Sequence, residues 1–229
     1  LPDLSRRLQA ADEKGAKNAF SRASEISLAL TIPCAVALVI IPLPIVAVLF
    51  ERGAFDTDDA AATALAVTIY GLGLPAFVLQ KVLQPLFFAR EDTKSPFRYA
   101  LVAMVINAVL AVGLAFFIGW IASAIATTAA GWAMVWLLAR GARPMGEVAR
   151  FDARLRRRVW RVCLASAVMG GVLWMVSAFF TPLFGLTGWR WVGLFGMVGA
   201  GMGTYLAVGH LLGAFKLSEF RSAMRRSRD

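Results

Sequence analysis

The sequence predicts an all-α fold: a polytopic bundle of six transmembrane helices with both termini on the cytoplasmic side. Two observations carry this. Five long stretches, Ile26–Phe50, Ala60–Gln80, Tyr99–Ala139, Val162–Trp189 and Trp191–Phe215, contain no Lys, Arg, Asp or Glu. The basic residues between them fall almost wholly in alternate connections. Composition agrees, with 59% of the 229 residues hydrophobic and 17% charged, a balance that suits lipid rather than water as the main solvent.

A helix needs roughly 20 apolar residues to cross about 30 Å of hydrocarbon. The 41-residue run Tyr99–Ala139 is therefore two crossings, with the turn expected near Gly119-Trp120 because Trp favours the lipid–water interface. The expected spans are 26–50, 60–88, 97–117, 120–139, 160–180 and 191–215. An even number returns both ends to one side. That side receives 21 basic residues: five from Arg6 to Arg22, then Arg90, Lys94 and Arg98, eight from Arg140 to Arg161, and five from Lys216 to Arg228. The other side holds Arg52 and Arg190, so the positive-inside rule makes the first side cytoplasmic. The net charge of +10 is then split among membrane loops, which points to anionic lipid headgroups and not to nucleic acid.

Residues 1–24 read as a cytoplasmic connection. Its opening Leu1-Pro-Asp-Leu-Ser-Arg6 looks like the tail of an earlier helix, so the chain is expected to be the C-terminal portion of a longer one. The first span carries Pro33, Pro42 and Pro44, predicting a kink or a broken end. Asp58 or Thr57 is expected to cap the second span, which holds Pro75 and the polar trio Gln80, Lys81 and Gln84. Arg90 to Pro96 forms a polar inner turn, with Pro96 suited to a first helical turn. These four spans occupy 25–140. A basic connection over 141–159 follows, and Phe151-Asp-Ala-Arg-Leu-Arg-Arg-Arg-Val-Trp160 could form an interfacial helix. The last two spans fill 160–215, before a basic cytoplasmic tail over 216–229.

Enzyme signatures are missing: the sequence has no His-Glu-x-x-His, no Gly-x-Ser-x-Gly and no Walker loop, so no catalytic residue is assigned. A membrane enzyme acting on lipid-linked sugars would want paired carboxylates at the interface, and Glu91-Asp92 reads better as a turn. Cys34, Cys163 and His210 all fall inside spans, so neither a disulfide nor a metal site is indicated. His210 is expected to pack or bond between helices, and Gly196, Gly199, Ala200, Gly203 and Ala207 to form a close-packing face.

Lys81 is the one cation within a span. It either snorkels toward the cytoplasmic interface or lines a polar cavity with Gln84, one turn on. Asn107 suits an interhelical hydrogen bond, and Thr127 and Thr128 suit bonds to their own helix carbonyls. Asn107 and Thr127 together would offer oxygen ligands to a hard cation, but two neutral ligands are too few for a site.

The strings Leu49-Phe-Glu-Arg-Gly-Ala-Phe55 and Lys81-Val-Leu-Gln-Pro-Leu-Phe-Phe-Ala-Arg90-Glu-Asp-Thr-Lys-Ser-Pro96 resemble the MurJ (MviN) family of lipid II flippases. So do the opening Leu1 to Arg6, the stretch Ala126-Thr-Thr-Ala-Ala-Gly-Trp132 and the ending Gly213-Ala-Phe-Lys-Leu-Ser-Glu-Phe220, in the family's order. The resemblance implies the multidrug/oligosaccharidyl-lipid/polysaccharide exporter fold, with two six-helix lobes around a cavity and two further helices forming a lipid-facing groove. These six spans would be the ninth to the fourteenth, four from the second lobe and two from the groove. The implied partners are the undecaprenyl-linked peptidoglycan precursor, membrane lipids and the missing N-terminal spans, in the bacterial inner membrane.

On that resemblance the expected cavity residues are Lys81, Gln84 and Arg90. Asn107 and Thr127 match positions of a cation-coupling pattern, while Ala111 stands where a carboxylate would help and Met134 replaces an Asn. No cofactor is expected, and the coupling ion, Na+ or H+, is left open. The rival expectations are a drug antiporter or polysaccharide-unit flippase of the same superfamily, and a non-transporting scaffold for cell-wall enzymes.

Overall fold

In the computed structural model, which describes residues 13–149, 153–184 and 190–213, the chain is helical throughout those stretches apart from short turns. The helices are α1 (Glu13–Ile40), α2 (Pro42–Phe50), α3 (Thr57–Phe88), α4 (Lys94–Ile118), α5 (Ile121–Ala142), α6 (Ala153–Phe184) and α7 (Arg190–Leu211), with a short 3-10 segment at Arg143–Ala149. Six stretches are long and apolar enough to cross a membrane, in the predicted order.

The first span differs from expectation in its limits. Helix α1 starts at Glu13, and the run 26–50 is not one helix: it breaks at Ile41, where the backbone leaves the helical region at φ −124° and ψ 43°. Pro42 and Pro44 lack the N–H groups that would extend α1's ladder, and Pro42 instead occupies the first turn of α2. The cap of α3 is also displaced. Asp56, rather than Thr57 or Asp58, accepts from the amides of Asp58 and Asp59 at 2.9 Å each, and Asp59 reaches back to the Asp56 amide. This reciprocal box satisfies amides that would otherwise be orphaned. Gly119, at φ +63°, turns the chain between α4 and α5 as expected. The basic run from Arg156 to Trp160 is the opening of α6 itself and continues unbroken into the span, so no separate interfacial helix forms there.

Helix neighbours run in one row: α4, α5, α3, α1, α6, α7. The short α2 lies on α3 and touches α7 across the break in α1. Between lipid-embedded helices, association rests on packing and hydrogen bonds, because lipid tails are as apolar as the side chains. Phe20 of α1, Leu83, Leu86 and Phe87 of α3, and Leu138 of α5 make one core. Val162, Ala165, Met169 and Leu173 of α6 make another with Met197 and Tyr205 of α7 and with Ile41 at the break. Close approaches depend on small residues: a Cβ on Gly71 would lie 3.0 Å from Leu38 Cβ, and one on Gly170 would lie 2.8 Å from Val36 Cγ1.

The packing face of α7 is not the one expected. Gly193, Leu194, Met197, Gly201, Tyr205 and Gly209 are buried, whereas Gly199, Gly203 and Ala207 are exposed. Nothing lies within 4 Å of a Cβ built on Gly199 or Gly203. His210 sits exposed in the last turn of α7, not packed between helices. The opening string Leu1 to Arg6, residues 151–152 and the tail from Ala214 lie outside the described residues.

Candidate functional site

The C-terminal end of α3 carries the polar groups of the second span. Lys81 is exposed and Gln84, three residues on, is half-buried, so the two share a side of the helix. Gln80 points elsewhere, donating from Nε2 to the Gly131 carbonyl of α5 at 3.0 Å. Arg90, in the turn after α3, is exposed, and its Nη2 donates to the Met145 carbonyl at 3.0 Å. That bond ties the α3–α4 turn to the segment following α5. The structure thus brings Lys81 and Gln84 together and anchors Arg90 at a separate point.

In the same turn, Glu91 takes a left-handed backbone at φ +60°, and the Asp92 carboxylate accepts from the Ser95 amide at 2.9 Å. The side-chain and backbone hydrogen bonds from Ser95 hold the Asp92 carboxyl below its ordinary range, helped by the Lys94 amide and the charge of Arg98.

Helix α5 is the hub between α3 and α4. Asn107 of α4 and Thr127 of α5 are half-buried, with Nδ2 donating to Oγ1 across 3.5 Å. Thr128 does not bond its own helix; it donates to the Ile69 carbonyl of α3 at 3.0 Å. Trp132 Nε1 donates to the Leu72 carbonyl at 3.1 Å, in the turn ahead of Pro75 where the α3 ladder is interrupted. Gly131 makes room for this register: a Cβ there would lie 2.7 Å from Cε1 of Phe77. Ala111 is half-buried on α4, and Met134 is buried in the α1–α3–α5 core. Among the described residues no group of three His, Cys, Asp or Glu side chains comes together as metal ligands.

The α6–α7 pair is fastened at both ends and in the middle. Arg158 of α6 pairs with Glu25 of α1 at 2.6 Å, and Arg190 of α7 with Glu51 at 3.7 Å. Arg52 lies over the Trp191 ring at 5.9 Å from its centroid, and the Tyr205 hydroxyl donates to the Ala29 carbonyl at 2.5 Å.

The pattern of six spans with this polar α3–α4 turn has close counterparts. The model of the family described as "Lipid II flippase MurJ" matches residues 1–193. The chain belongs to the MurJ family. A probable lipid II flippase MurJ of Rhizobium tropici is 38% identical over 233 residues, covering 100% of this chain and 43% of the relative. Its counterpart in Rhizobium meliloti is also 38% identical, over 99% of this chain and 43% of its own length, and that of Vibrio cholerae is 34% identical over 97% and 42%. A solved structure described as "Lipid II flippase MurJ, inward closed conformation" shares the fold, with a TM-score of 0.72 at 24% identity over 91% of this chain and 41% of that one. The chain therefore spans about two-fifths of the length of the curated relatives it matches.

Within the MurJ frame, the recognisable strings fall at junctions. Leu49 to Phe55 is the turn from α2 to α3, and Lys81 to Pro96 runs from the C-terminal end of α3 into the first turn of α4. Ala126 to Trp132 is the α5 surface that meets α3 and α4. Sequence reasoning passed over Trp132 and Tyr205. A usable signal existed for Tyr205: a proline inside a membrane helix leaves the carbonyl four residues back unserved, which implies a donor on a neighbouring helix. The Leu72 carbonyl that Trp132 meets is not the one Pro75 frees.

Proposed function

We propose that this chain is the C-terminal part of a lipid II flippase, working by alternating access in the bacterial inner membrane. Its substrate would be the undecaprenyl-linked peptidoglycan precursor. The observation that carries the reading is membership of the MurJ family over residues 1–193, together with six membrane-length helices in sequence. In this reading the four spans from α1 to α5 belong to the second lobe, α6 and α7 form the appended pair, and the missing N-terminal spans complete the cavity. The distribution of 21 basic residues on one side against two on the other supports cytoplasmic termini.

The physical task is to carry a pyrophosphate headgroup through a layer that excludes charge. A cation at membrane depth lowers that barrier, and the prenyl tail can remain in lipid throughout. Lys81 supplies such a cation on an exposed side of α3, with Gln84 beside it as donor and acceptor. Arg90 would serve the same anion from the inner mouth, while its bond to Met145 holds that mouth in shape. Transport of this kind makes and breaks no covalent bond, so these residues act by attraction and position alone. Asn107 and Thr127 mark where a coupling cation would sit, yet a hard cation takes about six or more oxygens and Ala111 adds none. The proposal therefore expects transport that does not depend on Na+.

The deciding experiment is depletion and complementation with the full-length parent gene in a bacterium lacking its own lipid II flippase, run in Na+ and in choline media. Rescue in both, with precursor reaching the outer leaflet, is expected. Lys81→Ala should lower transport about tenfold to a hundredfold, the worth of a hydrogen bond to a charged group, while Lys81→Arg keeps most of it. A well-inserted protein that fails to rescue would move the substrate to a drug or a polysaccharide unit. Rescue that is lost in choline and in Asn107→Ala would place a sodium site at that pair.

A further inference from the structure

Pro33 lies inside α1 and has no backbone N–H. The carbonyl it leaves without its helical donor is that of the residue four positions earlier, Ala29. At that carbonyl stands the hydroxyl of Tyr205 from α7, donating at 2.5 Å across a sequence separation of 176. Tyr205 is 7% exposed and set in the apolar cluster with Val162, Ala165, Met169 and Met197, where little water can compete for the bond. The match is one of register. At Pro75, inside α3, the indole of Trp132 captures Leu72 and not the Gly71 carbonyl four residues back.

We propose that Tyr205 is a positioning residue: its hydroxyl replaces the N–H that Pro33 lacks, making the open rung in α1's ladder and the seating of the α6–α7 pair a single joint. Contacts on both sides of Pro33 support this. Arg158 of α6 holds Glu25, one turn before Ala29, while Gly170 of the same helix lies against Val36, beyond Pro33. Helix α6 therefore rides on both halves of α1, and Tyr205 of α7 sits at the pivot. A swing of either half of α1 carries the pair with it, and a shift of α7 frees the pivot. The bearing of this joint on lipid transport rests on the flippase reading; the joint itself does not.

The test compares four forms of the full-length parent protein in bicelles: unaltered, Tyr205→Phe, Pro33→Ala and both together. Pro33→Ala returns an N–H to the Ala29 carbonyl, so the phenol becomes dispensable. Tyr205→Phe alone should lower the folded-to-unfolded ratio in SDS titration about threefold to twentyfold, the range for hydrogen bonds between membrane helices. In the Pro33→Ala background the same change should have little effect, and equal losses in both backgrounds would overturn the proposal. A second readout guards against a Pro33→Ala variant that does not fold. Nitroxides at the exposed positions Ile26 and Leu206, with Cys34 and Cys163 replaced, report the α1–α7 distance. Tyr205→Phe should broaden that distance distribution, and an unchanged one would sink the joint. Failure of every form to rescue a flippase-depleted cell, with the coupling intact, would count against the flippase reading and leave the joint standing.

Discussion

At the scale of single residues, glycines separate contact from exposure. Gly131 and Gly201 face neighbouring helices, where an added Cβ would meet Phe77 at 2.7 Å and Leu173 at 3.0 Å. Gly199 and Gly203 face open space. Gly131→Ala should destabilise the bundle by about 1–3 kcal/mol, as overpacking does, and Phe77→Leu should recover part of the loss. Gly199→Ala and Gly203→Ala should be neutral or stabilising by up to about 1 kcal/mol, since alanine is the better helix former. Unfolding of the four variants in SDS reads the contrast. The sequence pointed to the wrong stripe on α7 for a physical reason. Gly196, Gly199 and Gly203 recur at helical spacing, but so do Gly193, Met197, Gly201 and Tyr205. In water the larger apolar residues would mark the inner face, whereas lipid accepts them on either side.

Helices and turns were legible wherever charge or proline punctuated the chain. The break before Pro42 follows from proline, and the α4–α5 turn at Gly119 from the length of the 41-residue uncharged run and the interfacial preference of Trp120. The cap of α3 fell at Asp56, ahead of the expected Thr57 or Asp58, because all three can accept and only the entry angle of the chain selects one. The sequence left open what serves the carbonyls ahead of the prolines, since the donors come from helices distant in sequence. The start of α4 offers a pH test. The Asp92 carboxyl is lowered by its Ser95 bonds, so its contribution is complete above the ordinary value of 3.8 and is lost as pH falls through the lower folded value. The α3–α4 turn should therefore hold its structure from neutral pH down to about 4, and loosen only below that. Asp92→Asn should remove this acid step, and a turn that loosens near pH 6 in NMR titration would contradict the assignment.

For the whole molecule, the row α4–α5–α3–α1–α6–α7 leaves its two ends very differently attached. Helix α4 leans mainly on α5 and presents Phe116 and Phe117, each 85% exposed, outward. At the other end the α6–α7 pair is pinned by ion pairs near both membrane surfaces and by Tyr205 between them. Single cysteines at Arg90 and Glu51, labelled from outside intact cells, should give a signal at Glu51 alone, because the proposed orientation puts Arg90 inside. Labelling of Arg90 but not Glu51 would invert the topology. The charge count foretold the spans from spacing alone, while the helix order within the row depended on side-chain contacts that hydropathy does not encode.

The pairing of Tyr205 with Ala29 also sets a clock on biosynthesis. The two residues are separated by 176 positions, and a bacterial ribosome adds roughly 5–20 residues per second. About 9–35 s therefore elapse between the birth of the acceptor on α1 and that of its phenol donor. During that interval the Ala29 carbonyl lacks the donor that the finished protein gives it. The first span of this chain is thus completed by its last, and a nascent chain stalled before α7 presents an α1 that the mature molecule never shows.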